Sequence, residues 1–163
     1  MLTNRRLQVR FFDTQDGLYD CTWNEANQDQ IAGASADGSV KLWYMNSSDA
    51  FPIANYHEHE QEVSSVDWNI VSKDLFVTAS WDNTSKVWNP MMPNSMMTVM
   101  EHAYCVYNAI WSPHSATSFV SCSGDNTVKV WHRLECRSLL QANRSFRLQG
   151  APNRRRAALL SSP

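Results

Sequence analysis

No apolar run in this 163-residue chain approaches the roughly 20 residues that a membrane-spanning helix needs, so the sequence predicts no span. The opening Met1-Leu2-Thr3-Asn4-Arg5-Arg6 leads into no apolar stretch of the kind a secretory signal carries, and none is expected. Four cysteines (Cys21, Cys105, Cys122 and Cys136) share no metal-ligand spacing. They read as reduced thiols of an intracellular protein and not as a disulfide framework. Nucleophile elbow, phosphate loop and dinucleotide fingerprint are all missing, so neither an enzyme nor a cofactor is expected. Acid is scarce at one end. Residues 133–163 hold seven arginines against Glu135 alone, whereas residues 1–132 hold 7 basic and 15 acidic side chains. The length suits one modest domain with a real core.

What is abundant is tryptophan, with seven residues. Trp23, Trp68 and Trp111 are spaced by 45 and 43 residues, and so are Trp43, Trp88 and Trp131. The chain therefore repeats. Each copy has an apolar run, then Ser35-Ala36-Asp37-Gly38, Ser80-Trp81-Asp82-Asn83 or Ser123-Gly124-Asp125-Asn126, then a second run ending in Trp. Asp-Gly and Asp-Asn suit a tight hairpin turn, because Gly and Asn accept positive φ cheaply. A further strand is expected upstream of each hairpin, over 18–23, 63–68 and 106–111. A fourth is expected downstream, over 52–56, 96–100 and, weakly, 137–141. Four short antiparallel strands per 43–45 residues is the period of a propeller blade.

At this level the sequence resembles the WD-repeat family. The resemblance implies a structural hydrogen-bond network in each blade, built from a His, a Ser or Thr, an Asp and a Trp. The matching residues are Ser35, Asp37 and Trp43, then His59, Ser80, Asp82 and Trp88, then His102, Ser123, Asp125 and Trp131. Blade one has Thr14 where the His should stand. The expected fold is all-β: an incomplete propeller over 1–141, with blades at about 14–57, 58–101 and 102–141. In the repeat register, residues 8–12 form a stray fourth strand of a preceding blade. Residues 142–163 read as a disordered arginine-rich tail. Three blades are too few to close a ring, so either a partial propeller or association of copies is expected.

Several motifs have a plainer reading than they invite. The His and Asp residues recur in successive blades, whereas catalysis needs one site, so they read as structural. His57-Glu58-His59-Glu60 has no third metal ligand placed by the sequence, and no metal is expected. Met91, Met92, Met96, Met97 and Met100 read as packing. The tail could neutralise phosphates, but only Phe146 is aromatic there, so nucleic acid is not the expected partner.

Between the repeat positions, two blocks are more particular: Asp16-Gly17-Leu18-Tyr19-Asp20-Cys21-Thr22-Trp23 and Ala79-Ser80-Trp81-Asp82-Asn83-Thr84. They are similar to the early blades of receptors that import proteins bearing the type 2 peroxisomal targeting signal. The resemblance covers about Leu7 to Trp131. It implies a protein cycling between cytosol and peroxisome matrix. It also implies cargo such as thiolase, carrying an N-terminal Arg/Lys-Leu, five residues, then His/Gln-Leu, together with an import co-receptor. Such a basic, leucine-bearing helix wants acidic and apolar footholds. The candidates are Asp16, Tyr19, Asp20, Glu60, Glu62, Trp81 and Tyr107. Trp81 stands out because the equivalent positions hold Ala36 and Gly124. The alternative reading is a generic WD-repeat scaffold or adaptor.

Overall fold

Short alternating runs of β-branched and aromatic residues, punctuated by Asp-Gly and Asp-Asn, dictate hairpins here. A computed structural model describes residues 10–133. It holds β1 (Leu18–Trp23), β2 (Gln30–Ser35), β3 (Val40–Tyr44) and β4 (Ala54–Tyr56) in one antiparallel sheet of that order. A second sheet has β5 (Val63–Trp68), β6 (Phe76–Ser80), β7 (Ser85–Trp88) and β8 (Met97–Val99). A third has β9 (Val106–Trp111), β10 (Ser118–Ser123) and β11 (Val128–His132). These are three blades of an open, incomplete propeller.

The hairpin turns take the expected conformation. Gly38, Asn83 and Asn126 have φ of 84°, 70° and 65°, in the left-handed region that Gly and Asn tolerate. Each turn aspartate accepts the backbone N–H two residues on, from Ser39, Thr84 and Thr127. Strand register explains the doubled tryptophan period. Trp23, Ile31 and Trp43 lie in one row across the first sheet; Trp68, Phe76 and Trp88 repeat it in the second, and Trp111, Phe119 and Trp131 in the third. In the middle sheet, Phe76 and Trp88 stack with their planes 9° apart.

The core lies between sheets. Ala32, Ala34, Val40 and Leu42 of the first blade pack on Val63, Val66, Trp68 and Phe76 of the second. Val77, Ala79 and Val87 of the second pack on Val106, Ala109, Trp111 and Phe119 of the third. The middle blade is thus covered on both faces, and every residue of β6 and β7 is buried. Each fully buried large apolar side chain contributes about 1.5–3 kcal/mol. Inner strands β1, β5 and β9 lie side by side, and side chains stitch them together. Asp20 accepts the Val66 N–H at 3.1 Å, and Ser65 accepts the Ala109 N–H at 3.0 Å one blade further on. Asp67 accepts the Trp111 N–H at 2.7 Å.

Some expectations are corrected. The fourth strands are only three residues long, at 54–56 and 97–99. Among the described residues, 10–12 join no ladder, although Phe12 packs on Trp43 with ring centroids 5.7 Å apart. Tyr56 does the same to Trp88 from β4, so Phe12 takes the place of a preceding blade's outer-strand aromatic without pairing as a strand. Met91, Met92, Met96 and Met100 are exposed, and only Met97 of that run packs against the core, because the outer strand has no sheet beyond it. Residues 8–9, the strand expected over 137–141 and the tail over 142–163 lie outside the described residues.

Candidate ligand-binding face

The loop before each inner strand and the turn of the following hairpin fall at the same end of the sheets, because the strands are antiparallel. Buried polar networks fix that end. In blade two, the Asp82 carboxylate accepts His59 Nδ1–H at 2.7 Å, the Glu60 N–H at 3.1 Å and the Thr84 hydroxyl. That leaves His59 Nε2 to accept the Thr78 hydroxyl at 2.7 Å, and Thr78 Oγ1 in turn accepts Trp88 Nε1–H at 3.0 Å. Blade three repeats the chain of contacts with His102, Asp125, Ser121 and Trp131. Burial alone would raise the Asp82 and Asp125 carboxyls. Hydrogen bonds from His59 and Thr84, and from Thr127 and His102, outweigh it and hold both well below the usual carboxylate range.

The bridging hydroxyls are therefore Thr78 and Ser121, a correction to the expected Ser80 and Ser123. Position along the strand is the reason, since residues two apart share a face. Ser80 and Ser123 sit two residues along, where each caps its own turn by accepting the N–H of Asp82 or Asp125 and donating to Gln61 O or Tyr104 O. His59 and His102 are buried, and Glu58 is turned away to Ser95 and Lys86, so the His57–Glu60 run is dispersed.

Blade one departs further. Gly33 stands where Thr78 and Ser121 carry hydroxyls, and the Trp43 ring fills its space, 2.9 Å from where a Cβ would sit. Trp43 Nε1 is buried without a partner among the described residues. Among the described residues, the Thr14 hydroxyl donates to the Asp16 carbonyl and not to the network. Ser35 joins instead through Lys41, whose ammonium pairs with Asp37 and also contacts Ser35 and Ser39. Burial would raise Asp37, and Lys41 with Ser39 brings it far below its ordinary value.

On this framework stands an aromatic surface. Each inner strand pairs irregularly at its start, and the residues set out of the ladder are Tyr19, Ser64 and Tyr107. A bulge re-aims its side chain. Tyr19 and Tyr107 are half-exposed as a result, and the Tyr19 ring packs on Trp81 with centroids 5.7 Å apart. Trp81 is held by its own N–H, which donates to Glu62 O; Ala36 to Gly17 O and Gly124 to Cys105 O repeat that bond. Gly124 leaves room for two rings. A Cβ there would lie 2.6 Å from Tyr104 and 2.9 Å from the Tyr107 hydroxyl. Tyr104 was not among the sequence candidates, and the missing side chain at Gly124 was its signal. Asp16 and Glu60 are exposed at the same end, and Glu62 is half-buried. Asp20 does not belong with them. Its carboxylate accepts the Cys21 and Val66 N–H groups and fastens blade one to blade two.

Repeated four-strand sheets with a His-Asp-hydroxyl-Trp network define a WD-repeat propeller, whose loops form a rigid binding face. The chain matches the WD domain, G-beta repeat model over residues 6–44, 50–89 and 94–132, and it belongs to that family. Among curated proteins it is similar to the peroxisomal targeting signal 2 receptor of Dictyostelium discoideum, 54% identical over 85 residues, or 52% of this chain and 27% of that protein. The receptor of the same name from Saccharomyces cerevisiae is 40% identical over 97 residues (60% and 26%), and that from Homo sapiens 44% over 100 residues (61% and 31%). The chain spans between about a quarter and a third of the length of these relatives.

Proposed function

We propose that this chain serves peroxisomal matrix protein import, holding the N-terminal type 2 targeting signal of cargo enzymes such as thiolase. The observation that carries the reading is the Tyr19–Trp81 pair, which bridges blades one and two at the end of the sheets that also holds Asp16, Glu60 and Glu62. The aromatic pair offers a flat apolar foothold for the signal's leucines, and the carboxylates attract its basic residues. Tyr107, with Tyr104 beside it, extends the same surface over blade three. Similarity to receptors of that name supports the reading. A co-receptor would cover the exposed side of the signal, and the protein would cycle between cytosol and peroxisome matrix.

The test is a fluorescence-anisotropy titration of the full chain with a labelled Arg-Leu, five residues, His-Leu peptide. Binding is expected, with loss when both leucines become alanine. Trp81→Ala should weaken it at least tenfold, about 1.4 kcal/mol, with an unchanged thermal melt. No binding by the folded chain would refute the receptor reading and leave a general WD-repeat adaptor. Unchanged affinity in Trp81→Ala would remove that residue from the site.

A further inference from the structure

Apolar side chains gather at the end of blade two opposite the loop face, where the β5–β6 loop and the segment between β7 and β8 lie. Ile70 and Val71 are 46% and 45% exposed, and Met91, Met92 and Met96 are 89%, 50% and 47% exposed. The repeat does not ask for them. Blade one has Glu25-Ala26 in place of Ile70-Val71 and Asn46-Ser47 in place of Met91-Met92, and blade three has Pro113-His114 in place of the first pair. Residues 89–100 carry no charge. Blades one and three flank blade two, so this exposure does not come from an edge of the array. Hydrogen bonds hold both segments in shape. Fully buried Asn69 accepts the Val71 and Ser72 N–H groups at 2.9 Å and donates to Ala116 O of blade three at 3.1 Å. Asn89 accepts the Met91 N–H at 2.8 Å, and the Tyr56 hydroxyl of blade one donates to Pro90 O at 2.8 Å. Clustered, uncharged and pre-ordered apolar side chains mark an interaction surface.

We infer that this end of blade two is a docking site for an amphipathic helix of a partner protein, apolar along one side and basic at the end lying over blade one. The strand order β5-β6-β7-β8 sets the two apolar ridges two strand spacings apart, roughly 10 Å, about the width of an α-helix. Methionine suits such a contact, because its flexible side chain moulds to the apolar face of a helix. Charge sets the direction. At the same end of blade one stand Glu25, Asp29 and Asp49, none in an ion pair among the described residues. Arg10, bonded to the Met45 and Asp49 carbonyls, offsets only part of that charge. In blade two, Lys73 and Asp74 offset one another. The excess of acid calls for basic side chains on the partner and repels an anionic membrane. The inference is independent of the ligand that the loop face binds.

The probe is a synthetic peptide of about fourteen residues, with leucine at the i, i+3, i+4 and i+7 spacing of one helix face and lysine elsewhere. The full chain should bind it, and should bind a counterpart with glutamate for lysine about tenfold more weakly. Dilute hydrogen peroxide reads the place. Bound probe should slow oxidation of Met91, Met92 and Met96 about fivefold, measured by peptide mass spectrometry. Met100, 74% exposed and just past the other end of β8, is the internal reference and should oxidise as before. Ile70→Glu with Met91→Asn and Met92→Ser installs the residues blade one carries. This triple variant should bind the probe about tenfold more weakly with an unchanged thermal melt. No binding, equal binding of the glutamate counterpart, or protection of Met100 instead would overturn the inference. So would protection of the same methionines by vesicles of phosphatidylcholine and phosphatidylserine, which would assign them to a lipid surface. Protection on raising the protein concentration alone would overturn it in favour of a second copy. If the triple variant fails to fold, the oxidation pattern of the wild-type chain decides alone.

Discussion

A single hydroxyl joins His59 to Trp88, and the energetics of blade two turn on it. Thr78→Val keeps the shape and strands two buried nitrogens. A loss of about 2–4 kcal/mol is expected in urea unfolding, against about 1 kcal/mol for Ser80→Ala, whose serine only caps the turn. Equal losses would show that the two serve alike. Acid sensitivity follows from Asp37, Asp82 and Asp125. Their folded pKa values lie below the unfolded value, so their stabilisation is fully present above about pH 5, a unit above the ordinary carboxylate pKa of about 4. It is lost as pH falls below that. A melting temperature that drops steeply from pH 5 to pH 3, and less so in Asp82→Asn, is the expected result. Asp67 behaves oppositely. Burial raises its pKa, the Trp111 N–H bond lowers it, and the Asp20 charge raises it again, with the net shift upward. Ionised Asp67 therefore costs stability at neutral pH. Asp67→Asn retains an acceptor for Trp111 and should melt no lower than wild type at pH 7.

Among the elements, the inner-strand bulges and the hairpin turns set what the loop face can display. Tyr19 and Tyr107 reach that face because the ladder slips at their positions, and Ser64 marks the same slip where no ring is carried. The turn residue decides the rest: Trp81 supplies its own ring, whereas Gly124 cedes space to Tyr104 and Tyr107. Gly124→Val should displace both tyrosines without breaking the hairpin. Weaker peptide affinity with an unchanged far-ultraviolet circular dichroism spectrum is expected. Unchanged affinity would confine the ligand to blades one and two.

Across the whole molecule, blade two is the most stable part because neighbours cover both its faces. Native-state hydrogen exchange should therefore be slowest in β6 and β7 and faster in β1 and β11. Uniform protection across the three sheets would contradict this ordering. The fastening is directional. Asp20 and Ser65 each hold the backbone of the next inner strand, and exposed Asn108 occupies the equivalent position on the last. Each added blade thus leaves a new apolar face and a new side chain ready for its successor, the arrangement by which repeat arrays propagate.

The sequence by itself determined the repeat, its hairpin turns and the three inner strands, because tryptophan spacing, Asp-Gly and Asp-Asn turns and strand alternation act over a few residues. The resemblance to the WD-repeat family supplied His59, Asp82 and Trp88 as network residues, and Trp81 stood out by contrast with Ala36 and Gly124. Tertiary structure decided what depends on facing and register. It chose Thr78 over Ser80 as the bridging hydroxyl, although both lie on the same strand. It turned Asp20 from the ligand face into the joint between blades, and it left Phe12 packed as an outer-strand aromatic without a ladder. It also let the Gly124 gap gather Tyr104 and Tyr107. A one-dimensional pattern fixes which residues can form a blade; only close packing of one sheet on the next fixes which polar atoms meet and which apolar faces stay bare.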